Sequence, residues 1–353
     1  MERPVTPSLA DEADLHHHGD ADALPGLIDL AVNVRPCPPP WLAEALGTPA
    51  TWVAYPDPAE ARAKLAAWHG VNEACVLPTA GAASAFTLVA RALATERATV
   101  LHPQFTEPEA ALRRAGRPVR RLALRPPFTL DAAQVPADSD LVVVGNPTNP
   151  TGVLHPRAEI TRLRAPQRVL VVDEAFMDFA GDAETALAPG GDLTGVLVVR
   201  SLTKLWGLAG VRSGYVVGDP ALVARLANQQ VPWEVSTPAL RAMTACATPQ
   251  AAAEAARIVA QVDADRAALS AALAAAGFPH YPVPPARAGA PFVLVDTASV
   301  GPGSVREPLA SLGFAVRRGE TFPGLGPSWI RVAVPDPATG HAFVAALASL
   351  RQR

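Results

Sequence analysis

The sequence predicts an α/β fold in which a buried sheet is wrapped by helices, followed by a smaller α+β unit. Between about residues 74 and 218, short apolar β-branched runs alternate with alanine-rich stretches of helical length, as is typical of a sheet between helices. After Pro238, long alanine- and arginine-rich helices precede further strands. Because the chain has 353 residues, 49% of them hydrophobic, we expect more than one domain.

Five strands are predicted in the first region because each candidate is short, apolar and rich in β-branched residues. They span residues 98–102, 141–144, 169–172, 196–199 and 215–217. Four of them lead directly into polar or glycine-containing segments, at 102–105, 146–152, 173–176 and 200–204. Ligands of open α/β sheets bind beyond the carboxyl ends of strands, so we expect a site built from several strand ends. The second region predicts helices over about 239–276 and strands at 292–296, 314–317 and 329–334.

Charge and composition argue against several classes of function. The formal net charge is −3 and no basic, aromatic-rich run is present, so we expect no nucleic-acid partner. No uncharged apolar run is long enough to span a membrane, and residues 1–14 lack the basic flank and apolar stretch of a signal peptide. The three cysteines, Cys37, Cys75 and Cys246, show no CxxC spacing, which fits a reducing compartment. We therefore predict a cytoplasmic protein.

Lys204 lies just past a predicted strand, with Ser201 three residues before it and Arg212 eight residues after it. A lysine amine can condense with an aldehyde cofactor, and a hydroxyl and a guanidinium can hold a phosphate. The alternative is a solvated lysine and an ordinary ion pair, which is the commoner situation for a lysine taken alone. The assignment of Lys204 therefore depends on its partners.

Asp173 ends the apolar run Val-Leu-Val-Val, so its carboxylate is expected at the tip of a buried strand. An unpaired charge is costly there, and the carboxylate needs a cationic partner. In a pyridoxal-phosphate site, such an aspartate keeps the pyridine nitrogen protonated and so makes the ring an electron sink. A helix cap or a metal ligand is the alternative for Asp173 and Glu174.

Two turns are candidate cofactor contacts. Residues 146–152 combine two Asn-Pro turns with Gly152 directly after a strand, and Asn149 there could donate to a cofactor ring oxygen. The run Gly81-Ala82-Ala83-Ser84 at the start of an alanine-rich helix could present backbone N–H groups to a phosphate. Taken alone, the first segment is a common turn and the second an ordinary helix start.

Together, Asn149, Asp173, Lys204 and Arg212 resemble, in order, spacing and strand-end context, the aspartate-aminotransferase-like branch of pyridoxal-phosphate enzymes, called fold type I. The resemblance extends from about residue 18 to 334. It implies pyridoxal 5'-phosphate held by Lys204 as a Schiff base, and a large domain with a mostly parallel seven-stranded sheet. It further implies a homodimer with active sites at the subunit interface. The expected regions are an N-terminal arm joining the small domain (1–48), a large cofactor domain (49–236) and a small domain (237–353).

Within that branch, local strings resemble the threonine-phosphate decarboxylases of cobalamin biosynthesis, with histidinol-phosphate aminotransferases as near relatives. The strings are His18-Gly19-Asp20, Val32-Asn33-Val34 as an Asn-containing strand, Tyr55-Pro-Asp, and the segments 173–179, 200–204, 229–233 and 322–334. The resemblance implies a phosphorylated amino acid as substrate. It leaves open whether L-threonine O-3-phosphate is decarboxylated or an amino group is transferred from histidinol phosphate or a similar substrate.

The resemblance also assigns roles by position. Phe105 would stack on the pyridine ring, and Tyr55 would reach the cofactor phosphate of the neighbouring subunit. Arg331 would bind the substrate carboxylate. The candidates for the substrate phosphate are Arg317, His18 and Asn33, with Asn149 also close to the substrate. The alternative for each arginine is a surface ion pair, and His16 and His17 have no motif behind them, so no metal site is predicted.

Two departures from the family pattern affect these roles. Phe176 stands where aminotransferases usually carry a tyrosine that bonds the ring oxygen, which favours the decarboxylase. Ala82 and Ala83 replace acidic or hydroxyl residues, so we expect backbone groups, Ser201, Arg212 and Tyr55 to carry more of the phosphate binding. A non-catalytic regulator of the same fold is a third possibility, but the residues before Pro49 leave little room for a DNA-binding module.

Overall fold

The computed structural model describes residues 15–23, 25–187, 190–284 and 287–352. The first 14 residues of the predicted arm lie outside the described part. The strands are β1 (Ile28–Leu30), β2 (Val76–Thr79), β3 (Ala98–His102), β4 (Val119–Ala123), β5 (Leu141–Gly145), β6 (Val153–Leu154), β7 (Val169–Asp173), β8 (Val196–Ser201), β9 (Gly214–Gly218), β10 (His280–Tyr281), β11 (Arg287–Ala288), β12 (Phe292–Asp296), β13 (Phe314–Arg318) and β14 (Trp329–Ala333).

The α-helices lie between and after these strands. They are α1 (Pro40–Ala45), α2 (Ala59–His69), α3 (Ala82–Ala92), α4 (Glu107–Arg114), α5 (Arg157–Arg162), α6 (Pro220–Ala227), α7 (Thr237–Cys246), α8 (Pro249–Ala275), α9 (Arg306–Ser311) and α10 (Pro337–Ser349). The predicted helical stretch 239–276 is divided in two because Pro249 begins a new helix and the Thr248 hydroxyl accepts from the Ala251 N–H at 3.2 Å. No helix in the described ranges is long and apolar enough to cross a membrane.

Seven strands form the large sheet, in the order β2-β9-β8-β7-β5-β3-β4. All neighbouring pairs are parallel except those of β9, which runs antiparallel to both β2 and β8. The strands β5 and β8 are buried along their whole length, as expected for a sheet covered on both faces. The predicted α/β fold with a mostly parallel seven-stranded sheet is therefore confirmed.

Helices cover both faces of this sheet, and the side chains of β8 show the division. Val196 and Val198 pack into the core on one face, whereas Leu197 and Val199 pack into the core on the other, because successive side chains of a strand point to opposite faces. The first core contains residues of α2 and α7, and the second contains residues of α3 and α6.

Six of the described strands differ from the sequence prediction, and three of them, β6, β10 and β11, are only two residues long and have no predicted counterpart. β2 and β4 have no predicted counterpart, because Pro78 interrupts β2 and because β4 lies at the edge of the sheet with partly exposed arginines. The predicted Asn-containing strand at 32–34 is wrong, since the strand there is β1 and it ends at Leu30. The Asp29 carboxylate accepts from the N–H groups of Ala31 and Val32, at 2.8 and 3.0 Å, and turns the chain.

A second sheet has the order β1-β13-β14-β12-β10, so it combines strands from both ends of the chain. Along α8 the packing partner changes from the large sheet to this one. Ala251 and Ile258 belong to a core of the large sheet, whereas Leu269 and Leu273 belong to the core of the small sheet. The domain boundaries predicted at residues 48 and 236 stay a prediction.

The carboxyl ends of β3, β5, β7 and β8 point to the same edge of the large sheet because these strands are parallel. Gly145 and Asp173 are direct neighbours there, and Ser201 ends the next strand. The fold therefore brings the polar segments that follow these strands to one side of the molecule, where β13 and β14 of the small sheet also contribute residues.

Candidate active site

Lys204 lies three residues beyond β8, partly buried, with its Nζ 5.9 Å from the centre of the Phe176 ring. Its carbonyl oxygen accepts from the Arg35 N–H at 3.2 Å, which fixes the loop against the N-terminal part of the chain. Burial lowers the pKa of Lys204 to about 8, with a further lowering by Arg331 and Arg212. About a tenth of this amine is thus neutral, and hence nucleophilic, at pH 7, far more than for a lysine with an ordinary pKa.

Asp173 is the last residue of β7 and is 8% exposed. Burial raises the pKa of its carboxyl to about 6, although the N–H of Ala175, at 3.1 Å, and the charge of Lys204 favour the ionised form. Among the described residues, no side chain donates a hydrogen bond to this carboxylate. Such a group has the capacity to bind a cationic ring N–H.

Gly81, Arg212, Gly214 and Ser201 lie close together at the N-terminus of α3, and we call this group the cradle. A Cβ on Gly81, which has φ +80°, would lie 2.6 Å from Nη2 of Arg212. On the other side, a Cβ on Gly214 would lie 2.9 Å from the Gly81 Cα, and Gly214 pairs with Ser201 across the sheet. Arg212 has a φ of 61°, a left-handed conformation that is uncommon for a residue with a side chain.

This cradle can bind an anion. The first N–H groups of α3, which begins Ala82-Ala83, have no partner within the helix, and the helix dipole adds partial positive charge. The hydroxyl of Ser84 does not extend the cradle, because it donates to Glu234.

Arg331 occupies the middle of β14 and is 4% exposed. Its Nη1 donates to Oδ1 of Asn149 at 2.7 Å, its Nη2 donates to the carbonyl of Ala31, and its guanidinium lies 5.1 Å from the centre of the Phe292 ring. The buried Nε has no hydrogen-bond partner among the described residues. The guanidinium therefore retains capacity for an anionic ligand.

Arg317 is paired directly with Arg331 across β13 and β14, so both side chains lie on the same face of the small sheet. Arg317 is 3% exposed, and its two terminal nitrogens contact Oδ2 of Asp22 at 3.1 Å and the His17 carbonyl at 2.8 Å. Burial lowers the pKa of Arg317, and Asp22 partly offsets this effect. Two buried cationic groups thus lie side by side on one face.

Three further predicted residues come from the N-terminal region and from the loop after β3. The rings of His18 and Phe105 are 5.8 Å apart, and Nε2 of His18 is 3.8 Å from the Glu107 carboxylate. Burial lowers the pKa of His18, although Glu107 acts in the opposite direction. Asn33 is buried, and its Nδ2 finds no acceptor among the described residues. His18 and Asn33 thus bring hydrogen-bonding groups from the N-terminal region.

Tyr55 is a predicted site residue that has no contact with the other predicted site residues described above. It is 75% exposed and stacks on Trp233, with the ring centres 4.3 Å apart. No contact of the described residues connects it to Lys204. Within one chain, Tyr55 therefore lies on the surface.

The sequence reasoning missed the groups that hold the 146–152 loop. The Oδ1 of Asn146 accepts from the His155 N–H at 2.8 Å, and the His155 ring lies 3.0 Å from the Thr148 hydroxyl. Burial lowers the pKa of His155 to about 4, so the ring is neutral. It stabilises the loop through its hydrogen bond with Thr148. A histidine ten residues beyond the end of β5 carries no sequence signal for this role, and neither does the Ala31 carbonyl that holds Arg331.

A cavity of about 510 Å³ lies on the other side of the lysine-bearing loop and is separate from these groups. It is lined by Trp68, Trp206 and the ion cluster around Arg200, whose Nε is 2.9 Å from the Glu174 carboxylate. None of the predicted site residues lines this cavity.

Comparisons with known proteins bear on the whole chain. A family model described as aminotransferase class I and II matches residues 26–347. A histidinol-phosphate aminotransferase of Mycobacterium tuberculosis is 45% identical over 327 residues, which cover 91% of this chain and 87% of the relative. A threonine-phosphate decarboxylase of Sinorhizobium sp. is 33% identical over 337 residues, which cover 92% of each chain.

A solved structure gives the corresponding result for the fold. The L-threonine-O-3-phosphate decarboxylase of Porphyromonas gingivalis aligns with a TM-score of 0.79 at 24% identity, covering 93% of this chain and 100% of that one. At this identity the likeness concerns the fold, and it includes both sheets of the molecule.

Proposed function

Since this chain belongs to the class I and II aminotransferase family, we propose that it decarboxylates L-threonine O-3-phosphate to (R)-1-amino-2-propanol O-2-phosphate. The observation that carries the proposal is the pair of buried arginines, Arg317 and Arg331, opposite each other on β13 and β14. Two adjacent guanidinium groups suit a small substrate with a carboxylate and a phosphate. The 33% identical decarboxylase supports this choice of reaction.

The cofactor of this family is pyridoxal 5'-phosphate, and the residues present fit it. Asp173 is a buried carboxylate with a backbone donor and no cationic hydrogen-bond donor among the described side chains. At Gly81 the absence of a Cβ brings the start of α3, with N–H groups that have no partner within the helix, directly against the Arg212 guanidinium, so two kinds of anion donor meet there. A pyridine ring and a phosphate ester satisfy these two positions, with Lys204 between them as the amine for an aldehyde.

We propose the following contacts for the bound cofactor. Lys204 would hold its aldehyde carbon covalently, and Asp173 would bind the pyridine nitrogen. The cradle and the start of α3 would hold its phosphate, Phe105 would stack on its ring, and two further residues would lie on the ring-oxygen side. The phosphate-binding residues would be Gly81, Ala82, Ala83, Ser201 and Arg212, and the residues on the ring-oxygen side would be Asn149 and Phe176.

When bound, the cofactor withdraws electrons from the substrate bond perpendicular to its ring, so substrate orientation selects the bond that breaks. Arg331 would hold the substrate carboxylate, and its own orientation is fixed by Asn149 and the Ala31 carbonyl. Arg317 would hold the phosphate, with His18 and Asn33 as further donors. Lys204, with its lowered pKa, can give or take a proton at the reacting carbon near neutral pH.

Amino transfer from histidinol phosphate or a similar substrate is the second candidate. The specific observation in its favour is the 45% identity to relatives named histidinol-phosphate aminotransferase. In that reaction Lys204 would remove a proton from the substrate carbon rather than reprotonate it. Phe176, which carries no hydroxyl for the ring oxygen, supports the decarboxylase instead.

Product analysis separates the two candidates. The purified protein is loaded with cofactor and incubated with L-threonine O-3-phosphate, with and without 2-oxoglutarate, and in parallel with histidinol phosphate and 2-oxoglutarate. Carbon dioxide release that does not need 2-oxoglutarate is the expected result. Glutamate formation from histidinol phosphate, with no carbon dioxide from threonine phosphate, would contradict the decarboxylase.

We also propose a homodimer in which Tyr55 contributes to the partner's site. Tyr55 and Trp233 form a stacked pair on the surface, and Trp52, Val53 and Val231 are also exposed. Large exposed apolar side chains so close in sequence are typical of an interface. A second copy would cover them and bring the Tyr55 hydroxyl to a cofactor phosphate.

A further inference from the structure

The N-terminal segment 15–23 is attached to the small sheet mainly through Asp22. This aspartate ends the 3-10 turn Gly19–Asp22 and is 2% exposed. Its Oδ2 lies 3.1 Å from both Nη1 of Arg317 and Nε2 of His17. A carboxylate so deeply buried is stable only with cationic partners.

Two further guanidinium groups face the other oxygen of Asp22. Its Oδ1 is 3.8 Å from Nε of Arg318 and 3.9 Å from Nη1 of Arg306, and it has no hydrogen bond among the described residues. Arg318 in turn lies 3.9 Å from Glu320 and donates to the His17 ring at 2.9 Å. Asp22 is therefore the buried anion of a group with three arginines.

The turn that Asp22 anchors also touches the other buried arginine. A Cβ added to Gly19 would lie 3.0 Å from the Ala31 carbonyl and 3.4 Å from Nη2 of Arg331. A side chain at residue 19 would therefore crowd the Ala31 carbonyl that accepts from Arg331, and it would be in van der Waals contact with the guanidinium. The same turn follows His18, whose ring faces Phe105. The position of the turn thus affects Arg317, Arg331 and His18 together.

Without Asp22, Arg317 and Arg331 would be two buried cations opposite each other on adjacent strands, and their repulsion would favour rotation of Arg317 away from its partner. With Asp22 in place, one terminal nitrogen of Arg317 is bonded to it and the other to the His17 carbonyl. A guanidinium has five N–H groups, so these two contacts leave donors for a ligand.

We propose that Asp22 is a positioning residue, which holds Arg317 beside Arg331 and anchors the turn 19–22 over the site, so that a phosphate-bearing substrate meets preset donors. This inference rests on the proposed function, because it takes the Arg317 group as the place where the substrate phosphate binds. Asp22 itself does not contact the substrate. It acts through the arginine that it holds.

The test is Asp22→Asn, which keeps the size of the side chain and removes its charge. The holoenzyme is used, so the cofactor occupies its own phosphate cradle. We expect the KM for L-threonine O-3-phosphate and the Ki for inorganic phosphate each to rise by about tenfold, the effect of one charge-assisted hydrogen bond. We expect kcat to change by less than about twofold, because the reacting atoms keep their neighbours.

The matched control is Asp20→Asn. Asp20 lies in the same turn and undergoes the same change, but it is exposed and contacts none of the three arginines. Because Asp20 raises the pKa of Lys204, this control also reports a general charge effect on the lysine. Asp22→Glu, which keeps the charge, should recover part of the phosphate affinity. Equal changes in the two asparagine variants, or a fall in kcat with an unchanged phosphate Ki, would overturn the proposal.

Hydrogen exchange gives a readout that does not depend on activity. In the wild-type holoenzyme, saturating inorganic phosphate should slow amide exchange in residues 15–23, and Asp22→Asn should weaken this protection at equal phosphate concentration. If threonine phosphate is not decarboxylated but phosphate still protects the segment in an Asp22-dependent manner, the proposed function fails and the inference stands. If phosphate gives no protection in the wild type, the inference itself fails.

Discussion

Burial moves the pKa values of Lys204 and Asp173 toward each other. It lowers the pKa of the amine to about 8 and raises that of the carboxyl to about 6, because the low-dielectric surroundings disfavour both charges. The mutual attraction of the two groups opposes both shifts but does not outweigh them. Between these two values, the site holds a carboxylate and an amine that is protonated in part.

The lowered pKa of Lys204 predicts how fast the cofactor loads at different pH. The neutral amine is the nucleophile, so the rate of covalent loading of the cofactor-free protein should rise about fivefold from pH 7 to 8 and less than about twofold from pH 8 to 9. A lysine with an ordinary pKa would give about tenfold at each step. Stopped-flow absorbance after mixing with pyridoxal phosphate measures the rate.

The charge of Arg331 contributes to this shift, so Arg331→Met serves as the comparison. Loss of a neighbouring positive charge raises the pKa of Lys204, and the loading curve should move to higher pH. A wild-type rate that keeps rising tenfold for each pH unit up to pH 9 would show that the amine is not perturbed.

The lysine content of the chain permits an unambiguous test of covalent attachment. The sequence contains two lysines, Lys204 and the exposed Lys64 on α2. Borohydride reduction fixes the cofactor to the amine that holds it, and peptide mass spectrometry should find the added mass at residue 204. Lys204→Ala should abolish the modification and lower kcat by at least about a thousandfold.

Lys64→Ala is the matched variant for this test. It should load and react like the wild type, because Lys64 is exposed on the surface of α2 and is not one of the predicted site residues. Labelling at residue 64, or retained activity in Lys204→Ala, would argue against the assignment.

At the scale of the elements, the N-terminus of α3 is the expected binding position for the cofactor phosphate, and Gly81 keeps it free of a side chain. Gly81→Ala would place a Cβ 2.6 Å from Arg212 and force the guanidinium away. We expect the Kd of the cofactor to rise at least about tenfold, which corresponds to the loss of one charge-assisted contact. Titration of the cofactor-free protein, followed by absorbance, measures this.

Gly116→Ala is the control that separates backbone strain at a left-handed glycine from steric contact between a new Cβ and a neighbouring side chain. Gly116 also has a left-handed φ, +71°, but a Cβ there would meet nothing within 4 Å. It should cost about 1 kcal/mol of stability through the backbone alone and leave cofactor affinity unchanged. The idea of a glycine cradle fails if both variants lose cofactor affinity equally.

The secondary-structure elements also differ in how far the sequence predicts them. The buried strands β5, β7 and β8 were predicted to within one or two residues at each end, because continuous β-branched runs have few alternatives. The edge strand β4 and the short β1 were missed, since they gain their strand conformation from a neighbouring strand rather than from their own composition.

At the scale of the whole molecule, the proposed dimer can be tested by mixing two inactive variants. If Tyr55 acts on the partner's cofactor, a mixed dimer of Lys204→Ala and Tyr55→Ala has one site with both defects and one site with none. Random reassortment of equal amounts should therefore restore about a quarter of the wild-type activity. Activity is measured before and after subunit exchange.

The control for this experiment uses two changes within the same site. Lys204→Ala mixed with Asp173→Ala also gives no intact site in the homodimers, but its mixed dimers carry one defect in each site and should stay inactive. Activity that remains at the sum of the separate Tyr55→Ala and Lys204→Ala samples would mean that Tyr55 acts in its own subunit or not at all.

The sequence by itself determined the α/β fold through its local hydrophobic pattern, and the spaced set Asn149, Asp173, Lys204 and Arg212 predicted the cofactor class through its resemblance to a known family. Only the tertiary structure placed Asp22 against Arg317 and the Ala31 carbonyl against Arg331. These contacts join residues about 300 positions apart. No local pattern encodes such a pairing, since it arises when β1, from one end of the chain, pairs with β13 from the other.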